Sequence, residues 1–166
     1  MIAFQMAVDF PAAVKSLTIV NSVPAVVLKK RRERALIGLR YQVVRWFGMR
    51  AMGRIIARSL FPDRGQKELR KTFIDRVAEN DPRAYLDSVR AMDGWTVVDR
   101  LSGIRCPTLI LTSDQDYTPV EAKHEYAVRI PGAVVTVLKN SRHAAPIDQT
   151  AEFNRIVLEF LNGVRQ

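Results

Sequence analysis

Two short apolar runs, residues 107–112 (PTLILT) and 133–138 (AVVTVL), constrain the fold of this chain more than any other feature. Each is strand-sized and rich in β-branched or aliphatic residues. Between them lie a polar turn, residues 113–116 (SDQD), and a helical stretch over residues 120–130 that stops at Pro131-Gly132. A hairpin joins its strands through a few turn residues, whereas strands separated by a helix run parallel through a crossover. In a parallel sheet the loops that follow both strands leave from the same edge. Open α/β sheets place their sites at that edge, the carboxyl ends of the strands. The first loop carries Asp114 and Asp116, and the second, residues 139–143 (KNSRH), carries His143. A carboxylate and an imidazole are thus delivered to a common rim.

The rest of the chain supplies helices and one more strand. Residues 1–10 (MIAFQMAVDF) predict a helix with little polar surface, ending before Pro11 and expected to be buried on several sides. Residues 16–21 (SLTIVN) read as a buried strand. Residues 24–61 are helical in pattern, and Gly48 and Gly53 weaken the middle, so two helices are expected. A turn at residues 62–65 leads to an amphipathic helix over 66–79, and Asp81 with Pro82 supplies the N-cap and first position of the next. A final helix over 149–161 is expected to bury a face made of Phe153, Ile156, Val157, Phe160 and Leu161, with Gly163 placed to end it. The order predicts an α/β fold with a partial parallel sheet of about three strands and flanking helices. Residues 1–23 and 94–166 form the core, and residues 24–93 a helical insertion.

Charge marks that insertion as a separate layer. The net charge is +9, and between Pro24 and Pro62 stand ten basic residues, from Lys29 to Arg58, against one acid, Glu33. The remaining residues carry sixteen of each sign, so the whole excess lies in this segment. Arg50, Arg54 and Arg58 recur at a spacing of four, one stripe along a helix. A basic helix of this kind can lie on an anionic membrane or attract an acidic partner, and it can equally be a solvated outer face. Nucleic acid is disfavoured, because no recognition-helix motif or aromatic interleaving accompanies the charge.

Other classes are excluded more simply. With 48% hydrophobic residues the chain can fill a core and is not a disordered polymer. No apolar run approaches the ~18 residues needed to span a bilayer. The first residues lack a basic n-region and Asp9 interrupts the apolar stretch, so a secretory signal is not expected. The one cysteine, Cys106, excludes an internal disulfide framework and is expected as a buried, inert thiol. A reducing cytoplasm is the expected compartment.

The motifs resemble the second half of the α/β-hydrolase family. IRCPTLILTSDQDYTPVEA is similar to that family's seventh strand and acid turn, with Ser113 where the family commonly has glycine, Asp116 on the catalytic acid and Pro119 on its proline. NSRHAAPIDQTAEFNRIVLEFL is similar to the histidine turn and final helix, which puts His143 on the catalytic histidine. MIAFQMAVDFPAAVKSLTIVNS resembles the helix after the nucleophile elbow and the sixth strand, and residues 24–93 occupy the place of the helical cap. The resemblance covers essentially the whole chain. It implies esterase-type hydrolysis of a small-molecule ester or related carbonyl substrate by a Ser-His-Asp mechanism, without cofactor or metal. In that mechanism Asp116 orients the imidazole and His143 takes the nucleophile's proton. A dehalogenase or epoxide hydrolase of the same fold, with Asp as nucleophile, is the nearest enzyme alternative.

One element of the family pattern has no counterpart. The nucleophile belongs in G-x-S-x-G, and none of Ser16, Ser22, Ser59, Ser88, Ser102, Ser113 and Ser141 sits between glycines. The chain alone is therefore expected to be inactive. Its expected partners are a complementing N-terminal half or a second copy at the uncovered sheet edge. The alternative is a non-catalytic basic module that binds an anionic membrane through Lys29–Arg58, or an acidic partner. Among the remaining candidates, Asp114 is the second choice of acid, His124 an ordinary surface histidine and Ser22 a turn residue. Without the resemblance, Asp116 and His143 would read as a turn cap and a solvated loop side chain.

Overall fold

A computed structural model describes residues 1–28 and 31–164, so Lys29 and Lys30, the start of the basic run, lie outside the described residues. The chain divides into two units, Met1–Ala25 with Thr96–Gln166, and Val26–Trp95.

The first unit holds three parallel strands in the order β1-β2-β3: β1 (Leu17–Val20), β2 (Thr108–Ser113) and β3 (Val134–Leu138). Leu17 pairs with Thr108 and Leu109 with Val134, which fixes the register across the sheet. Every residue of β2 is buried, as its unbroken apolar run requires of a strand covered on both faces. Strand β3 is an edge, and Val134 and Val137 remain exposed on it. Because side chains alternate along a strand, Leu109 and Leu111 face one side. They pack there with Leu138, Ala145 and Ile156 and with the half-buried Phe153, Val157 and Phe160. This is the docking face of helix α7 (Thr150–Val164). The helix runs through Gly163 rather than stopping at it, and Leu161 is 37% exposed, so both expectations at this end were wrong. Gly163 keeps a helical conformation, and no left-handed cap forms there.

Helix α1 (Ile2–Asp9) also departs from expectation, because it is buried on one face only. Phe4 is fully buried, edge-on to Tyr126 at 5.8 Å. Ile2, Met6 and Phe10, spaced by four, remain 79%, 46% and 62% exposed. Cys106 is half-buried rather than buried, since it precedes β2 at the rim where the strand enters the sheet.

The second unit contains α2 (Arg31–Leu60), α3 (Lys67–Ala78) and α4 (Pro82–Met92). The expected break in α2 is present at Gly48, whose φ of 72° is a left-handed conformation open to glycine. Gly53 stays helical. The expected helical start at residue 24 is not seen, because Val26 exchanges backbone hydrogen bonds with Gly94 and Trp95 at 2.9 and 2.8 Å, holding the segment extended. Asp81 caps α4 as its sequence predicts, accepting from the Ala84 N–H at 2.8 Å. Val44, Met49 and Met52 form the core with Ile56, Val77 and Leu86, whereas Leu36, Leu39, Trp46 and Phe47 of the apolar pattern remain exposed.

Gly53 sets how closely α2 approaches α3. A Cβ placed on it would lie 3.2 Å from the Val77 Cβ and 3.4 Å from the Ile74 Cα. Gly53→Val is expected to force these helices apart and lower stability by about 1–3 kcal/mol. Gly38→Ala, at a helical position with open space around it, should stabilise by up to about 1 kcal/mol. Urea unfolding monitored by circular dichroism measures both, and a neutral Gly53→Val would show that the close approach is not a constraint.

Candidate active site

The site grows from the two loops at the carboxyl ends of β2 and β3. After β2 the chain turns through residues 114–119 into α5 (Val120–Ala127), and after β3 through residues 139–144 into the short α6 (Ala145–Asp148). The structure brings Asp116 and His143 together, with His143 Nδ1 2.7 Å from Asp116 Oδ1.

The other oxygen of that carboxylate has its own partners. Lys123 Nζ donates to Asp116 Oδ2 at 2.7 Å, and the Thr118 hydroxyl donates to the same atom at 2.8 Å. The ammonium also reaches the Thr118 carbonyl at 2.6 Å and the Thr118 Oγ1. The side chains of Lys123 and Asp116 are 0% and 1% exposed, so this is a fully buried ion pair. Burial alone pushes the Asp116 carboxyl up. Hydrogen bonds from His143, Lys123 and Thr118, together with the charge of Lys123, outweigh it and hold the group well below the usual carboxylate range. An ionised carboxylate only accepts hydrogen bonds. The proton in the Asp116–His143 contact therefore sits on Nδ1, and in the neutral ring Nε2 keeps its lone pair. The imidazole is 42% exposed, and the Tyr117 ring lies against it with centroids 4.7 Å apart. What results is an oriented base at the rim of the sheet.

Polar side chains from several elements fix the His143 loop. Asn21 follows β1 in a left-handed conformation, φ 45°, one of the few that asparagine adopts readily. Its amide donates to the Ser113 Oγ and to the carbonyls of Arg142 and His143, at 2.9, 3.1 and 3.1 Å, and its carbonyl accepts from the Ser113 N–H at 2.7 Å. Ser113 is buried and also bonds the Ser141 Oγ at 2.9 Å. Asp148 accepts from the Arg142 N–H at 2.7 Å. Asp114, the second choice of acid, makes no contact with the imidazole. Its two oxygens accept from the N–H groups of Ser141 and Asn140 at 3.1 and 2.9 Å, a loop-bracing role that corrects the alternative assignment.

Sequence reasoning missed Lys123 and Asn21. The signal for Lys123 was its place on α5, three and four residues before the buried Tyr126 and Ala127, since a lysine on an apolar face needs a buried anion. The signal for Asn21 was an asparagine at the end of a strand, where its side chain can bond to backbone. His124 is exposed, as expected. Ser22 lies in the segment after β1, and its carbonyl accepts from Tyr126 Oη at 3.0 Å, while burial pushes that phenol up. Among the described residues no group of His, Cys, Asp or Glu side chains could hold a metal ion, and no helix is long and apolar enough to cross a membrane.

The buried pair predicts a coupled response to mutation and acid. Asp116 has a folded-state pKa below its unfolded value of about 3.9. Its stabilisation is therefore complete above that value and is lost as pH falls through the folded-state value. At neutral pH, Lys123→Met should cost about 3 kcal/mol by leaving a buried carboxylate short of its cation. Asp116→Asn added to it should recover part of that loss. Chemical denaturation between neutral pH and about pH 3 tests both statements. Additive mutational effects would contradict the coupling.

No protein-family model matches the chain. It is 25% identical over 168 residues to a protein from Serratia proteamaculans named as a carbamate hydrolase, RutD, covering 97% of this chain and 61% of that protein. Among solved structures it is similar to the enol-lactonase from Burkholderia xenovorans, with a TM-score of 0.83 and 18% identity, covering 96% of this chain and 61% of that one. The thermophilic esterase from Thermogutta terrifontis gives a TM-score of 0.82 and 19% identity over 99% of this chain and 62% of its own. The chain thus spans about three fifths of the length of these relatives.

Proposed function

We infer function from the premise that the chain belongs to the α/β-hydrolase superfamily. Asp116 and His143 are, in this reading, the acid and base of a Ser-His-Asp hydrolytic site that acts on an ester or related carbonyl substrate. The observation that carries it is the 2.7 Å contact between Asp116 Oδ1 and His143 Nδ1 at the carboxyl edge of a parallel sheet. Lactonase, esterase and carbamate hydrolase, the names of the similar proteins, all describe cleavage next to a carbonyl carbon, and they support the substrate class.

The chain's own residues supply three functions. Asp116 accepts from Nδ1–H and so fixes the tautomer that leaves Nε2 basic. His143 Nε2 takes the proton of an attacking hydroxyl and returns it to the leaving group, and it then activates water for the second half-reaction. Asp116 stabilises the imidazolium that forms between these steps. The nucleophile and the oxyanion donors come from the part of the relatives' length that this chain does not span, on the same chain in a longer product or on a complementing one. The exposed stripe Ile2, Met6 and Phe10 and the free outer edge of β1 support further packing against this unit. The helical unit Val26–Trp95 is the cap in this reading.

The 166-residue chain should not hydrolyse p-nitrophenyl acetate above the rate of its His143→Ala variant. Joined to an N-terminal half that carries a nucleophile elbow, it should gain activity, and His143→Ala should then lower kcat by about 10³-fold or more. Strong hydrolysis by the chain alone, dependent on His143, would contradict the assignment of the nucleophile elsewhere. Activity of the joined protein that survives His143→Ala would contradict the site.

A further inference from the structure

The arginine stripe of α2 does not face outward alone. Arg50, Arg54 and Arg58 line a groove of about 400 Å³ within the helical unit, opposite Lys67, Arg70 and Lys71 of α3, with Ile74 also in its lining. Helical spacing explains both rows, because residues three and four apart share a face. Gly53 lets the two helices approach, with Val77 and Ile74 against its backbone.

Charge balance in this groove is incomplete. Arg50 is neutralised by Asp75 at 2.7 Å, and Arg70 is committed to the carbonyls of Phe61 and Asp63 at 2.6 and 2.8 Å. Arg54, Arg58, Lys67 and Lys71 make no ion pair among the described residues, and the remaining carboxylate of the lining is Glu68. Like charges on facing rows repel, and Lys67 also stands in the first turn of α3, the electropositive end of a helix. These four side chains are exposed and hydrated, so their mutual repulsion is screened, and a compact, multiply charged anion in the groove would be attracted by all of them at once. Guanidinium forks match phosphate oxygens in pairs, and ammonium groups add charge without directional demand. The volume suits a ligand of small-molecule size, and a concave site suits a phosphorylated group better than a flat bilayer.

We propose that this groove binds a ligand carrying two or more phosphoryl groups, either a free small molecule or a phosphorylated headgroup. The proposal is independent of the hydrolytic site, which lies in the other unit.

Isothermal titration of the full chain with inorganic pyrophosphate at low salt tests it. Binding should weaken about tenfold in Arg54→Gln/Lys71→Gln and again in Arg58→Gln/Lys67→Gln. It should change less than about twofold in Arg129→Gln/Lys139→Gln, which removes two exposed charges elsewhere. Melting curves check that each variant folds. Co-sedimentation with vesicles holding a bisphosphorylated inositol lipid distinguishes the sources: retention lost in the same variants assigns a lipid headgroup, and pyrophosphate binding without retention assigns a free ligand. No pyrophosphate binding at about millimolar concentration, or an equal loss in the control variant, would overturn the proposal. Equal retention on phosphatidylserine vesicles would do the same.

Discussion

The Asp116 carboxylate, buried and shared between a lysine and a histidine, is the interaction on which the candidate site depends. A carboxylate out of water is stable as an anion only if every oxygen is solvated by protein. Lys123 and Thr118 saturate Oδ2, and His143 takes Oδ1. The division gives each oxygen one task, the first anchoring the acid to α5 and the second orienting the base. The ion pair contributes less to net stability than to geometry, since the desolvation of two charges offsets much of their attraction. What it fixes is the carboxylate's position relative to the imidazole, and with it the tautomer.

Backbone bracing completes that geometry. The Asp116 loop and the His143 loop are joined twice without using the Asp116–His143 contact, through Asp114 and through the Asn21–Ser113–Ser141 network. Asn21 draws β1 into the same network by bonding two carbonyls of the histidine loop. All three strands thus converge on His143. The half-exposed imidazole is thus carried on a loop held through its main chain, with Ser141 buried beside it.

Much of this fold was legible in the sequence because its signals are local. Strand-sized apolar runs bounded by Pro107 and Pro131-Gly132, the Asp81-Pro82 cap and the break at Gly48 each follow from backbone chemistry within a few residues. The meeting of Asp116 and His143 needed one further inference, that parallel strands emit their loops at one edge. The misses were non-local. Gly163 predicts a stop although α7 continues through it, and the composition of α1 predicts burial on several sides although Ile2, Met6 and Phe10 are exposed. Lys123 was hidden for the same reason, because an isolated lysine on a helix gives no sign of which buried anion it meets. Asp114 and Asp116 differ by two positions in one turn, and only tertiary placement separates the bracing carboxylate from the orienting one.

The protein contains two histidines, and His124 is exposed on α5, so it serves as an internal reference for His143. A long-range ¹H–¹⁵N spectrum of the imidazoles at mildly alkaline pH tests the central claim most directly. A single His143 tautomer with the proton on Nδ1, strongly deshielded by the Asp116 carboxylate, and with Nε2 unprotonated, is the predicted result. A His143 spectrum that matches the averaged tautomers of His124, or that places the proton on Nε2, would contradict the account.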